Sequence, residues 1–184
     1  KARDLLTKET IGRLSSFEAY ACSSDFLGGG KSSARIAESR GGVLRDLGSH
    51  IVDLALWFFG DLRVASAKLT SLTRGDSEDE ACFGVEGSDG LEGRFKVSWC
   101  KEDYRLPEFG LTIRGSKGIL RATNDKVELT CDQQSYLWYR HDLRDNVSFW
   151  LGATEYFRED EYFVKSALDG AEVEPSFCTA SRVD

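Results

Sequence analysis

The segment from Val43 to Phe59, VLRDLGSHIVDLALWFF, constrains the fold more than any other stretch of the chain. Leu47, Ile51, Leu54 and Phe58 recur at helical spacing, Val52, Ala55 and Phe59 lie beside them, and Gly60 supplies a stop. A helix that is apolar nearly all round is expected to be buried on most sides. Its polar positions after Arg45 are therefore informative. Asp46, His50 and Asp53 follow i, i+4, i+7 spacing and share one stripe, which Trp57 continues a turn later.

Burying two carboxylates without partners costs several kcal/mol, so the stripe is expected to face a hydrogen-bonded network or a solvent-filled cleft, and the cleft is the simpler reading. Asp46 falls near the start of the helix, where the dipole favours a carboxylate, and Gly48 permits close approach of a ligand or a neighbouring backbone. Imidazole is the side chain suited to proton transfer near neutral pH, which makes His50 the candidate general acid/base. The same spacing also fits a satisfied core histidine, with Asp46 bonding backbone groups near a loop. A metal held by Asp46, His50 and Asp53 is conceivable but not expected, since no second His or Cys lies nearby in sequence.

Around this helix the chain reads as α+β. A short helix from Ala2 to Leu6, a turn at Thr10–Gly12 and a strand from Arg13 to Ser23 lead into a long loop over 24–42. Strand character then recurs at 62–72, 81–85, 91–99, 108–114, 119–123, 127–131 and 135–139, with glycine-bounded turns at Gly87–Gly90 and Gly115–Gly118. A last helix runs from Thr154 to Leu168 and stops at Asp169–Gly170. The order predicts a mainly antiparallel, mixed sheet of about six strands with helices packed on one face and the other face available for dimerisation. Phe95, Val97, Trp99, Phe109 and Ile113 offer apolar material for either face. Phe17, Tyr20 and Phe26 read as core by default, with one wall of a pocket as the other reading. The acidic cluster Asp76 to Glu80 reads as a solvated loop, and His141 as a solvated strand end.

Composition narrows the function classes. Asp and Glu number 31 against 24 Lys and Arg, a net charge of −7 without any basic run, which argues against nucleic acid as a partner. No stretch approaches the roughly 18 apolar residues of a membrane span. The five cysteines are widely spaced, without a C-x-x-C pair, as expected of free thiols in a reducing cytoplasm. The lack of methionine and the abrupt finish at Val183–Asp184 are expected of part of a longer polypeptide. No G-x-G-x-x-G follows a strand, so no dinucleotide-binding βαβ unit is expected here. Gly28–Gly30 with Lys31 lacks the phosphate-loop spacing and reads as a flexible loop over the cleft.

The segment RGGVLRDLGSHIVDLALWFFGDL, residues 40–62, resembles the G-G-G-x-x-x-D-x-G-x-H-x-x-D-x-x-x-W-x-x-G signature of the glucose-fructose oxidoreductase, inositol dehydrogenase and rhizopine-catabolism family (Gfo/Idh/MocA). Residues 114–120, RGSKGIL, and 155–170, EYFREDEYFVKSALDG, are similar to that family's strand turn and closing helix. The resemblance implies a C-terminal substrate-binding and catalytic domain over 1–184, preceded in family members by a Rossmann domain that binds NAD or NADP and supplies an E-K-P lysine. It implies hydride transfer between nicotinamide and a sugar, cyclitol or related polyol, with Asp46 and His50 as catalytic residues. Asp53, Arg45 and Trp57 are then substrate-binding or supporting residues. No cofactor-binding residue and no metal ligand is implied in this chain, which alone is expected to be inactive. A homodimer or homotetramer through the open sheet face is implied as well. Alternatives are a non-catalytic polyol-sensing or oligomerisation module, and NAD-dependent, redox-neutral glycoside cleavage. Arg40 stands where the signature has its first glycine.

Overall fold

The structure, a computed structural model, describes residues 1–27, 39–72, 77–104, 106–140 and 154–183. The middle of the predicted 24–42 loop, with Gly28–Gly30, and also Asp76 and His141, lie outside the described residues. The chain divides into two compact units, Lys1–Arg140 and His141–Asp184.

In the first unit, helix α1 (Ala2–Thr7) precedes strand β1 (Leu14–Cys22), a π-helical turn (Leu44–Gly48) and helix α2 (Ser49–Phe59). Seven strands follow: β2 (Arg63–Thr70), β3 (Glu80–Glu86), β4 (Glu92–Ser98), β5 (Glu108–Gly115), β6 (Gly118–Thr123), β7 (Lys126–Cys131) and β8 (Gln134–Tyr139). They form one sheet of eight strands, ordered β2-β3-β4-β1-β5-β6-β7-β8, rather than the expected six or so. Strands β2-β3-β4 and β5-β6-β7-β8 pair antiparallel in chain order, and β1 lies between the two runs, parallel to β4 and antiparallel to β5. The expected α+β architecture is the one observed.

Period-two alternation sorts the two faces of the sheet. Phe17, Ala19 and Ala21 of β1 stand in register with Gly93, Phe95 and Val97 of β4 and with Ile113, Leu111 and Phe109 of β5. This row faces α2: Phe17 stacks on Phe59 with ring centroids 4.3 Å apart and meets Phe95 edge-on at 5.6 Å. Ile51 and Ala55 of α2 are fully buried, while its flanks are half-buried. On the same face, the guanidinium of Arg3 in α1 lies 4.1 Å from the Trp57 ring centroid.

All five apolar residues that had seemed free to serve either face therefore lie on the helix side. The opposite face is polar: Glu18, Arg94, Lys96, Arg114 and Arg121 project from it, with Glu18 and Arg114 paired at 3.5 Å and Lys101 and Glu80 at 2.5 Å. Tyr20 also lies there rather than in the core, donating its hydroxyl to Glu108. The described acidic residues of the cluster, Glu78, Asp79 and Glu80, do not form a solvated loop. Asp79 is fully buried and accepts the Leu72 N–H at 2.8 Å, and Glu78 and Glu80 are both engaged.

All five cysteines are free. Burial is the main cause that pushes the Cys100 thiol up to about 11. Because the thiolate is the nucleophile, Cys100 is expected to react with a disulfide reagent at pH 8 about tenfold or more slowly than exposed Cys82 and Cys178. Time-resolved labelling read by peptide mass spectrometry checks the order.

In the second unit, helix α3 (Thr154–Asp169) ends at Gly170 with φ +63°, and helix α4 (Phe177–Ala180) is capped by Ser176, whose hydroxyl accepts the Thr179 N–H at 3.2 Å. The predicted closing helix is thus present over the expected residues. Among the described residues, no helix is long and apolar enough to cross a membrane.

Candidate functional site

The chain enters the π-helical turn through Gly41 and Gly42, both with positive φ, +79° and +92°. A side chain at Gly42 would overlap the Glu78 carboxylate. That carboxylate caps the helix start: Glu78 Oε1 accepts the Leu44 N–H at 3.0 Å, and the Glu78 carbonyl accepts the Val43 N–H at 2.9 Å. Both contacts satisfy N–H groups left open at a helix N-terminus, where negative charge is favoured. At Gly48 a Cβ would come 2.8 Å from the end of the Leu44 side chain and into ordinary contact, at 3.6 Å, with Val97 of β4. A π-turn inserted before a regular helix is a feature that recurs at functional positions.

Asp46 lies on this turn, half-buried. Its Oδ2 accepts the indole N–H of Trp99 at 3.2 Å and a guanidinium N–H of Arg40 at 3.3 Å. The same Arg40 nitrogen reaches Asp25 Oδ2 at 3.4 Å, and the guanidinium lies 5.6 Å from the Phe26 ring. Phe26 in turn packs edge-on against Trp99, which is wholly buried. A hydrogen-bonded network, rather than a cleft alone, therefore accommodates the Asp46 carboxylate. Among the described residues, Oδ1 accepts no hydrogen bond.

His50 follows on the first turn of α2 and is exposed. Its ring meets Phe109 edge-on, with centroids 5.7 Å apart. Phe109 is fixed by Asn124, whose Oδ1 accepts the Phe109 N–H at 3.0 Å while its amide donates to the Pro107 carbonyl at 3.2 Å. Among the described residues Asp46 does not hydrogen bond to His50, and Phe109 is what faces the imidazole.

The remaining sequence candidates are placed less centrally. Asp53 is exposed on the next turn, and Arg45 is exposed with its stem over Gly41. Trp57 stands about 10 Å further along the helix axis than His50 at the ordinary rise per residue, under Arg3. Among the described residues, no three His, Cys, Asp or Glu side chains come together as a metal site.

Sequence reasoning missed Trp99, Phe109 and Asn124 as neighbours of the site, and gave Arg40 no partner. The signal for Trp99 was present: it extends the alternation Phe95, Val97, Trp99, and Val97 is the residue against Gly48.

Solved structures share this fold. Levoglucosan dehydrogenase in complex with NADH and L-sorbose superposes with a TM-score of 0.80 at 18% identity, over 99% of this chain and 56% of that one. An oxidoreductase from Agrobacterium radiobacter in complex with NAD+, L-tartaric acid and magnesium gives 0.76 at 16%, over 99% and 55%. A 3-ketoreductase from Actinomadura kijaniata in complex with NADP gives 0.71 at 17%, over 98% and 52%. The chain thus spans little more than half the length of these proteins. No curated protein matches by sequence. The family model described as the GFO/IDH/MocA C-terminal domain matches residues 1–121, and the chain belongs to the Gfo/Idh/MocA family.

Proposed function

We propose that residues 1–184 are the C-terminal, substrate-side domain of an NAD(P)-dependent dehydrogenase acting on a sugar, cyclitol or related polyol. The observation that carries this reading is the pair Asp46 and His50 on successive turns. Asp46 is clamped through one oxygen with the other uncommitted, and His50 is exposed and makes no hydrogen bond among the described residues. A carboxylate oxygen beside an imidazole suits a substrate alcohol: the carboxylate accepts a hydroxyl hydrogen bond, and the imidazole takes the hydroxyl proton as the carbinol is oxidised.

The nicotinamide, when bound, accepts the hydride. The described residues include no glycine-rich turn from a parallel strand into a helix that could cradle its pyrophosphate. We therefore assign the cofactor to polypeptide outside this chain and expect the chain alone to be inactive. Neighbouring structures in complex with NADH, NAD+ or NADP support the cofactor class, and L-sorbose and levoglucosan in two of them support the substrate class. His50 holds and moves the proton, Asp46 binds or orients the reacting hydroxyl, and Asp53 and Arg45 bind or support substrate from the exposed helix side. Trp57, under Arg3, supports the far end of that helix. Five free thiols suit a cytoplasmic protein. A homodimer or homotetramer through the open sheet face is part of the reading, and its contacts would be charged and polar, from residues such as Arg94, Lys96 and Glu18.

The test is a turnover screen on the full-length protein with sugars, cyclitols and other polyols, each with NAD and with NADP, followed at the nicotinamide absorbance band. Reduction by at least one polyol is expected. Cofactor binding without reduction by any of them would contradict the dehydrogenase reading and favour a sensing module or redox-neutral glycoside cleavage.

A further inference from the structure

We propose that Trp99 and Arg40 are positioning residues for Asp46: both hold the carboxylate by Oδ2, so that only Oδ1 is presented to a substrate hydroxyl. The inference rests on the reading of Asp46 and His50 given above, and it names parts of the machinery that the helix itself does not contain.

Four observations converge. The two donors approach the same oxygen, at 3.2 Å from the Trp99 indole and 3.3 Å from Arg40. A carboxylate with both bonds on one oxygen is restricted in rotation about its terminal torsion, and its second oxygen keeps its acceptor capacity. The donors come from independent parts of the fold. Trp99 follows β4 and is wholly buried, with Phe26 edge-on at 4.8 Å, so the indole has no freedom to turn away. Arg40 lies ahead of the π-turn and also binds Asp25, which ties the segment after β1 to the start of the helix. Finally, Arg40 replaces the first glycine of the family signature, so its clamp is a feature of this chain rather than of the signature. Among the described residues, the ion pairs at Asp46 run through Arg40 to Asp25, and Trp99 at the end of β4 contributes a neutral indole.

The test uses the full-length protein. With 15N-labelled tryptophan, the Trp99 indole resonance, assigned by its loss in Trp99→Phe, is expected to move upfield in Asp46→Ala as its charged acceptor is removed. In steady-state kinetics with an accepted polyol, Trp99→Phe keeps an aromatic ring but loses the N–H. It is expected to lower kcat about 10- to 100-fold while KM changes by less than about threefold, as displacement of a reacting group predicts. Arg40→Gln, at a partly exposed position, is expected to lower kcat in the same way without loss of fold, and it decides the matter if Trp99→Phe does not fold. An indole resonance indifferent to Asp46→Ala would overturn the proposal. So would wild-type kcat in both Trp99→Phe and Arg40→Gln while His50→Ala is inactive, which leaves the acid/base reading intact. If His50→Ala itself turns over normally, the underlying reading fails, and the positioning role with it.

Discussion

His50→Ala in the full-length protein is expected to lower kcat/KM by about 10²- to 10⁴-fold, the range that removal of a general acid/base produces. The expectation has a structural basis beyond residue type. His50 is exposed on the first turn of α2 and makes no hydrogen bond among the described residues, so its imidazole is not spent on holding the fold. Its ring contact with Phe109, edge-on at 5.7 Å, is of a kind worth about 0.5–1.5 kcal/mol. Stability should therefore change little while turnover collapses. Thermal melts and steady-state kinetics on the same preparation separate the two effects. A large fall in melting temperature accompanying the loss of rate would instead make His50 a structural residue.

Phe17→Ala is expected to have the opposite profile, with a large loss of stability from a residue remote from the chemistry. Phe17 is 1% exposed, stacks on Phe59 at 4.3 Å and meets Phe95 edge-on, so it joins helix α2 to the centre of the sheet. Its ring occupies the space over Gly93, where any side chain would overlap it. The pocket is lined by rigid strand backbone and by other rings and can collapse only in part, so truncation should cost about 3–5 kcal/mol. Against the roughly 5–15 kcal/mol that hold a typical domain together, that is a large share. Urea unfolding should show a lower midpoint with an unchanged slope. A midpoint within experimental scatter of wild type would mean that the helix is not anchored to β1 through this ring.

These two residues also show where the sequence was legible. Helical periodicity located α2, its stop at Gly60 and the Asp46–His50 spacing, because all of these are set by contacts within a few residues. The strands and their antiparallel hairpins were legible for the same reason. The placement of β1 between β4 and β5 was not, because pairing a strand with one some 75 residues later leaves no local trace. The same limit hid the network at Asp46. Trp99 and Arg40 reach that carboxylate from a strand end and from the segment before the helix, and nothing in spacing alone shows that they converge on one oxygen. The acidic run around Asp79 misled in a different way. Charge alone suggests solvent, whereas Asp79 is buried with its carboxylate on a backbone N–H, and Glu78 caps the helix that carries the site.

The most direct measurement follows deuterium from the carbinol carbon of an accepted polyol to the nicotinamide, in full-length wild type and His50→Ala. Label is expected in the reduced nicotinamide with wild type and almost none with the variant. Product formed without label in the nicotinamide, or transfer by His50→Ala at the wild-type rate, would contradict this expectation.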